Sequence, residues 1–507
     1  MGMAQQTKKP VVLVCTSGSA AYNFAPAVAE AFFQQIPLIV ITADRPAEWI
    51  DQYDGQTIHQ KNLFGTHVLK YFELPQDYSH ADARWHANRI INDAFLIALG
   101  SVKGPVHINA PFREPLYPSH SESKISESFK FTSAVTPGKV TLDEAALNDL
   151  VDALQSFKKI LVVSGQGFCD TPFAEDLAAF LKQAQWPITG DILSNLHRIP
   201  DFCSHADSFL GRLSDSTEET LAPDLVITFG KSLIAKNLKL FLRKRKPAHW
   251  HIGTEPAADT FQSLSKHIQV PVKFFFSNLE PELNKLRPHP EFNEAWKRHE
   301  DLTRVALKKF FSKQTHGEFA VVERVMRALP SACNLHLANS MSVRYANHIG
   351  LTSDQGGVVV YSNRGTSGID GCTSTAVGHA LTSTRLNILI TGDLAFFYDR
   401  NAFWHNFALP NLIVVVLNNH GGIIFNLIDG PSSQPEAEEF FITRQRLTAK
   451  SLAAEFGFNY EDATKADFFK SFTPKSNASI LESDSSQALN KQIFDEFRKH
   501  LKKTYEA

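Results

Sequence analysis

The chain has 507 residues, 43% of them hydrophobic and 21% charged, with a formal net charge of -2. That length sets a prior of about three domains in an ordinary globular protein. The near-neutral charge argues against a general nucleic-acid binder or a basic membrane-surface protein, no apolar run is long enough to span a bilayer, and five scattered cysteines without a CxxC pair give neither a disulfide framework nor a zinc site, which fits a reducing cytoplasm.

Met1 to Gln6 reads either as the tail of a helix or as a flexible terminus, followed by a strand from Val11 to Cys15. Thr16-Ser17-Gly18-Ser19-Ala20 turns into an apolar helix, Ala21 to Phe33, and a strand, Leu38 to Thr42, follows the Ile36-Pro37 break. The result is a βαβ unit. Its first turn is either a ligand loop at a helix N-terminus or plain turn chemistry. A long polar loop off a strand end, where sites are built, then carries Asp44-Arg45-Pro46 and Gln56. Taken alone, Arg45 reads equally as half of a surface ion pair. A helix is expected from Ala81 to Leu99 and a strand from Gly104 to Asn109. Residues 119–139, rich in Ser, Lys, Thr and Pro without periodicity, read as a linker after a first domain at 1–118.

A central α/β domain is expected at 140–300. It opens with a capping-box pattern, Thr141-x-x-Glu144, before an amphipathic helix. The strand Ile160 to Val163 leads to Ser164-Gly165-Gln166-Gly167, a fragment of a dinucleotide fingerprint without its third glycine and so weak support for NAD or FAD. A helix from Pro172 and strands at Pro187 to Thr189 and Leu225 to Phe229 continue the alternation. Gly230-Lys231-Ser232 lacks the earlier glycine of a Walker loop. Lys236 is an anion-binding lysine or a solvated one. Residues 287–300 read as a boundary.

The third domain, 301–507, contains an opening helix from Glu318 to Leu329, a strand from Leu335 to Ala338, and then Asn339-Ser340-Met341-Ser342-Val343-Arg344. Tyr361 to Gly371 is too polar and glycine-rich for a regular element. A loop is expected around Gly430 to Glu438, then a helix from Ala449 to Phe456, a strand at Ser479 to Leu481 and a charged terminal helix.

Two short apolar runs in this domain, Ile388 to Ile390 and Leu412 to Leu417, read as buried parallel strands. One ends in Gly392-Asp393, the other in Asn418-Asn419-His420-Gly421-Gly422. If the strands are neighbours, Asp393 and Asn419 converge where open α/β sheets bind ligands. A carboxylate, an amide oxygen and freed carbonyls suit Mg²⁺, and the glycines allow close approach to a phosphate.

This Gly-Asp and Asn-Asn pattern resembles the signature of thiamine-diphosphate enzymes, with Leu394 where a glycine is usual. Together with Thr16-Ser17-Gly18, Thr42 to Pro46, Gly104 to Asn109, Asn339-Ser340-(x)3-Arg344 and Tyr361-Ser362-Asn363-Arg364-Gly365-x-Ser367-Gly368-Ile369-Asp370-Gly371, the chain resembles the 2-succinyl-5-enolpyruvyl-6-hydroxy-3-cyclohexene-1-carboxylate (SEPHCHC) synthases of menaquinone synthesis.

The resemblance implies three doubly wound α/β domains, cofactor sites between the subunits of a homodimer or homotetramer, and a cytoplasmic transferase without nucleic-acid or membrane partners. It implies decarboxylation of 2-oxoglutarate and 1,4-addition of the resulting succinyl carbanion to isochorismate, with thiamine diphosphate and Mg²⁺ or Mn²⁺. Asp393, Asn419 and Gly421 would hold the metal. Ser17, Ile369, Gly392, Asp393, Leu394, Asn419, Gly421, Gly422 and Ile424 would meet the cofactor. Ser340 and Arg344 would hold the succinyl carboxylate; Arg45, Gln56, Lys236 and Arg364 would meet isochorismate or the anionic intermediate, and Phe425 would line the pocket. Gln56, Ser340, Arg344 and Arg364 are the expected catalytic set.

His420 and Gly55 replace asparagines found in some members of that family. The resemblance also implies an upstream helix with a glutamate that protonates the cofactor, and a Gly-Ser-Arg-Ser loop; neither lies ahead of Met1-Gly2-Met3-Ala4. The first domain is therefore expected to be incomplete at its N-terminus and the chain impaired, by about 10²- to 10⁴-fold for a lost general acid. Two other readings stay open: another carboligase or decarboxylase resembling acetolactate synthase, and a non-catalytic cofactor-binding subunit.

Overall fold

The computed structural model describes residues 1–114, 129–133, 142–167, 170–428 and 430–506. The chain divides into two compact units, Met1–Gly138 with Asn363–Gly371, and Lys139–Ser362 with Cys372–Ala507. All three sheets are parallel, as the alternation of apolar runs and amphipathic helices implies. Among the described residues no helix is long and apolar enough to cross a membrane.

In the first unit β1 (Val11–Cys15), β2 (Leu38–Asp44), β3 (Lys70–Glu73) and β4 (Pro105–Pro111) form a sheet ordered β1-β2-β4-β3. The central strands β2 and β4 are covered on both faces, which is why they read as near-continuous apolar runs. At the edge, β1 exposes Val12 and Val14. The other edge strand, β3, gave no sequence signal: Lys-Tyr-Phe-Glu has charges at both ends and two apolar positions. The helix expected from Ala21 starts as a tighter 3-10 segment, Gly18–Phe24, and becomes α-helical at Ala25–Gln34 with Pro26 in its first turn. Cys15 pairs with Thr42 and Thr42 with Asn109. Ser17 and Arg45 thus leave the sheet on one edge.

The second unit holds two sheets. In the first, β5 (Ile160–Ser164), β6 (Ile188–Gly190), β7 (Leu225–Phe229), β8 (Ala248–Ile252) and β9 (Leu264–Ile268) are ordered β6-β5-β7-β8-β9. Thr141 and most of the expected linker lie outside the described residues; the helix Glu144–Leu154 is capped instead by Asp143, whose side chain accepts from the Ala146 N–H. The described linker residues Lys130 and Thr132 are both hydrogen-bonded to Asn92.

Residues 287–300, expected as a boundary, are mostly helical. From Pro290 they form a 22-residue helix, Pro290–Phe311, that buries Phe292, Trp296 and Glu300. Proline in its first turn disguised a helix start as a break.

In the second sheet of this unit, β10 (Cys333–Leu337), β11 (Val359–Tyr361), β12 (Leu386–Gly392), β13 (Leu412–Asn418), β14 (Asn459–Asp462) and β15 (Ser479–Asp484) are ordered β11-β10-β12-β13-β15-β14. Alternate residues of β13 face opposite cores. Ile413, Val415 and Leu417 join the cluster that includes Val322, Phe494 and Phe497, whereas Leu412, Val414 and Val416 join Ala376 and Leu452. Each such fully buried side chain contributes about 1.5–3 kcal/mol. The order reverses at β10, so the crevice between β10 and β12 is the switch point where ligands of open α/β sheets bind. The loop expected at 430–438 contains short helical turns at Pro431–Ser433 and Ala437–Phe441.

Candidate active site

The strands β12 and β13 are hydrogen-bonded neighbours, with Gly392 opposite Leu417. Their ends converge. The Asp393 carboxylate, only 1% exposed, accepts from Gln445 Nε2 at 2.7 Å and from the main-chain N–H groups of Leu394 and Gly421. Burial pushes its carboxyl above the usual range; those hydrogen bonds pull the other way. Gln445 Nε2 also donates to Asn418 Oδ1 at 3.0 Å, tying both strand ends to one side chain. The Asn418 amide in turn donates to Glu482 Oε1 at 2.8 Å.

Asn419 is oriented by two buried partners. Its Nδ2 donates to Glu318 Oε1 at 2.7 Å, and its Oδ1 accepts from Gln487 Nε2 at 3.2 Å. Burial pushes the Glu318 carboxyl up to about 7, with the Asp393 charge adding to it and the Asn419 hydrogen bond opposing it. Gly421 is required by its surroundings: at φ +156° a Cβ would lie 2.6 Å from the Ile442 carbonyl oxygen and 2.7 Å from Gln487 Nε2. His420, also at positive φ, places its ring 3.1 Å from Asp484.

Glu318, Gln445, Gln487 and Glu482 were invisible to sequence reasoning. They come from a helix, a loop, a helix and a strand far away in the chain, and only Glu318 in a first helical turn bore any local sign. Among the described residues no cluster of three or more His, Cys, Asp or Glu side chains is placed to hold a metal. A cation at this edge would instead take one carboxylate, an amide oxygen, a main-chain carbonyl and ligand oxygens, a donor set that suits Mg²⁺.

At the end of β10, Ser340 adopts φ 73° and caps the helix Met341–Ile349. Such a backbone conformation is costly for a residue with a Cβ and recurs at functional sites. Arg344 Nη1 donates to the Ser340 carbonyl at 2.6 Å, which fixes the arginine over the turn. Ile424 and Phe425 begin the short helix Ile424–Leu427, and the Phe425 ring packs against Phe441 at 5.5 Å between centroids. Leu394 lies in the first turn of the helix Asp393–Tyr398, with Gly392 as its cap.

In the other sheet of this unit, Lys236 starts the helix Lys236–Arg245 and is exposed. The preceding loop is held by Asp191, which accepts from the Ile234 and Ala235 N–H groups and whose carboxyl burial raises to about 6. The glycine-rich fragment after β5 forms no nucleotide cradle. A Cβ on Gly165 would lie 1.9 Å from the Lys231 carbonyl oxygen, because the loops after β5 and β7 press together, and the N–H groups of Gly165, Gln166 and Gly167 are taken by the Phe229, Ser232 and Leu193 carbonyls. Gln166 turns away and donates to the Ser362 carbonyl at 3.0 Å.

The first unit carries Ser17, Arg45, Gln56, Arg364 and Ile369. Ser17 is buried, and Gly18 donates its N–H to Gln60 Oε1 at 2.8 Å. Gln60, unforeseen from sequence, also donates to the Ala43 carbonyl and to Asn109 Oδ1, joining the Thr42–His107–Asn109–Asp44 network at the ends of β2 and β4. Arg45 Nε donates to the Gly55 carbonyl at 3.3 Å and lies 3.6 Å from Asp54. The exposed Gln56 has φ 59°, and its backbone lies against Gly18. Ile369 is 37% exposed.

Residues 1–63 match the family model "Thiamine pyrophosphate enzyme, N-terminal TPP binding domain", and residues 140–337 match "Middle domain of thiamine pyrophosphate". The chain is 42% identical over 513 residues to the 2-succinyl-5-enolpyruvyl-6-hydroxy-3-cyclohexene-1-carboxylate synthase of Cytophaga hutchinsonii, covering 100% of this chain and 90% of that protein. It is 40% identical to the synthase of the same name from Flavobacterium johnsoniae, covering 91% of this chain and 81% of the relative. Against that of Desulfotalea psychrophila the identity is 36%, with 91% and 83% covered. An all-parallel α/β enzyme whose strand ends gather Asp393, Asn419 and Gly421, the chain belongs to the SEPHCHC synthase family of thiamine-diphosphate enzymes.

Proposed function

We propose that this enzyme decarboxylates 2-oxoglutarate and adds the resulting succinyl carbanion to isochorismate in a 1,4 sense, giving SEPHCHC for menaquinone biosynthesis. The observation that carries this reading is the meeting of Asp393 with the Gly421 N–H and the Gln445 bridge to Asn418, at the edge next to the switch point. The relatives bear the name of that product.

Asp393, Asn419 and the Gly421 carbonyl are the proposed ligands of Mg²⁺, with Mn²⁺ as a substitute of the same donor preference. Gly392, Leu394, Gly422 and Ile424 would hold the diphosphate end of the cofactor, and Ser17 and Ile369 would meet its ring end. When bound, thiamine diphosphate supplies the electron sink that holds the carbanion left by decarboxylation. The protein's own work is to bind two acids and hold them still. Ser340 offers a hydroxyl and Arg344 a guanidinium fork, itself anchored on the Ser340 carbonyl at 2.6 Å, to the far carboxylate of 2-oxoglutarate. Arg45, Gln56, Lys236 and Arg364 are the proposed partners of isochorismate, with Phe425 as an apolar wall.

The proposed domains are 1–118, 140–300 and 301–507, in a cytoplasmic homodimer or homotetramer whose sites draw on two subunits. An acetolactate-synthase-like activity is separated by substrate profiling. With the cofactor and Mg²⁺ present, the reading requires preference for 2-oxoglutarate over pyruvate. Equal use of both with no need for isochorismate overturns it.

A further inference from the structure

The buried carboxylate of Glu30, 4% exposed, lies on the helix Ala25–Gln34 and takes no part in the chemistry described above. Its partners come from 335 residues away. Oε1 accepts from the Gly365 N–H at 2.8 Å, and Oε2 accepts from the Thr366 N–H at 2.6 Å and the Thr366 hydroxyl at 2.7 Å. Gln34 Nε2 donates to Oε1 as well, and Gln5 from the first helix, Gly2–Thr7, donates to Gln34 Oε1 at 3.1 Å. Two successive main-chain N–H groups and a hydroxyl thus enclose one carboxylate, an anion-holding arrangement of backbone amides.

The approach is close enough to constrain sequence. A Cβ on Gly365 would lie 2.8 Å from the Glu30 carbonyl oxygen and 3.0 Å from Phe33 Cβ. The clamped residues stand between Arg364 and Ile369, in the segment Asn363–Gly371 that belongs to the first unit. That segment has no regular element and three glycines, so its backbone has much freedom to lose. Asn363 Nδ2 donates to the Gly371 carbonyl at 3.2 Å and closes the ends of the segment. Between those ends, the Glu30 carboxylate holds two successive main-chain N–H groups of the segment from the helix.

We propose that Glu30 is a positioning residue: by holding Gly365 and Thr366 it fixes the backbone that presents Arg364 to the acid substrate and Ile369 to the cofactor. The inference rests on the assignment of Arg364 and Ile369 made above. It places the carboxylate outside the reacting atoms, acting through a loop. Glutamine at this position keeps the size but turns an amide group toward N–H donors, so it cannot satisfy both.

The test compares the wild-type chain with Glu30→Gln and Thr366→Ala in two measurements. Amide hydrogen exchange of the peptide covering 363–371, without cofactor or substrate, is expected to quicken about tenfold in Glu30→Gln and about threefold in Thr366→Ala, since charge-assisted bonds set local opening. Unchanged exchange in both variants overturns the clamp. In steady-state kinetics Glu30→Gln is expected to raise KM for isochorismate about tenfold and leave KM for 2-oxoglutarate within about twofold. Faster exchange with both KM values unchanged overturns the positioning role. If circular dichroism shows Glu30→Gln unfolded, Thr366→Ala, altered only at an exposed side chain, carries both measurements. Failure of the wild-type chain to consume isochorismate is a failure of the proposed function, seen before any variant is made, and the exchange measurement still decides the clamp.

Discussion

Asp393 is a buried carboxylate with no cationic side chain among its hydrogen-bond donors, which are an amide and two main-chain N–H groups. Such a group is costly unless a cation completes it. Asp393→Asn is therefore expected to weaken Mg²⁺-dependent thiamine-diphosphate binding by at least about 100-fold, since even outer partners of metal ligands are worth 10- to 100-fold. Titration calorimetry with and without Mg²⁺ measures it, and equal affinities in the two proteins would contradict the assignment. Arg344→Ala is expected to raise KM for 2-oxoglutarate about tenfold or more, the worth of one charge-assisted pair, with little change for isochorismate. At this scale the sequence was informative where chemistry is local: Gly392-Asp393 and Asn418-Asn419 sit at strand ends that apolar runs announce. The partners that orient them were not legible. Nothing near Glu318, Gln445 or Gln487 says that folding brings each to a strand end.

The helix Pro290–Phe311 shows the same limit for elements. Its first turn holds proline and lies amid charges, which reads as a break, while its buried face carries Glu300 into a cluster of partners. Glu300 accepts from His205 Nδ1 at 2.7 Å, the His205 N–H at 2.9 Å, Cys203 Sγ at 3.3 Å and Arg304 Nε at 2.8 Å. Burial alone would raise the Glu300 carboxyl, but the His205 charge and hydrogen bond, with Arg304, outweigh it and hold it at about 2. Burial likewise opposes the His205 charge, and Glu300 overrides it, raising the imidazole above its ordinary value. The signs follow from linkage. Glu300, depressed in the fold, gives stability that is present above its unfolded value of 4.5 and lost as pH falls toward 2. His205, raised in the fold, gives stability that is full below 6.5 and lost as pH rises through its folded value. Glu300→Ala is expected to cost about 3–5 kcal/mol at neutral pH, because it strands a buried imidazolium, and to flatten both limbs. Denaturant midpoints measured across pH check this; a variant with the wild-type profile would refute it. Gly421→Ala is an element-scale prediction too. The new methyl meets the Ile442 carbonyl and Gln487, so a loss of about 1–3 kcal/mol and weaker cofactor binding are expected in thermal unfolding with and without cofactor.

For the whole molecule, three parallel sheets were legible because buried strands such as β7 and β13 are uninterrupted apolar runs and the helices between them are amphipathic. The edge strands β3, β9 and β14 were not, since half-exposed strands carry charge and little periodicity. The dinucleotide-like fragment after β5 was weak support in sequence, and the structure weakens it further: the N–H groups of Gly165, Gln166 and Gly167 are taken by the Phe229, Ser232 and Leu193 carbonyls. The proposal that the enzyme joins 2-oxoglutarate to isochorismate is tested most directly by following both carbon dioxide release and isochorismate loss for the 1–507 chain with 2-oxoglutarate, thiamine diphosphate and Mg²⁺. The stoichiometry decides it, whatever the rate. Isochorismate is expected to disappear only when 2-oxoglutarate and cofactor are both present, in amounts equal to the carbon dioxide released. Carbon dioxide release with isochorismate untouched would contradict it.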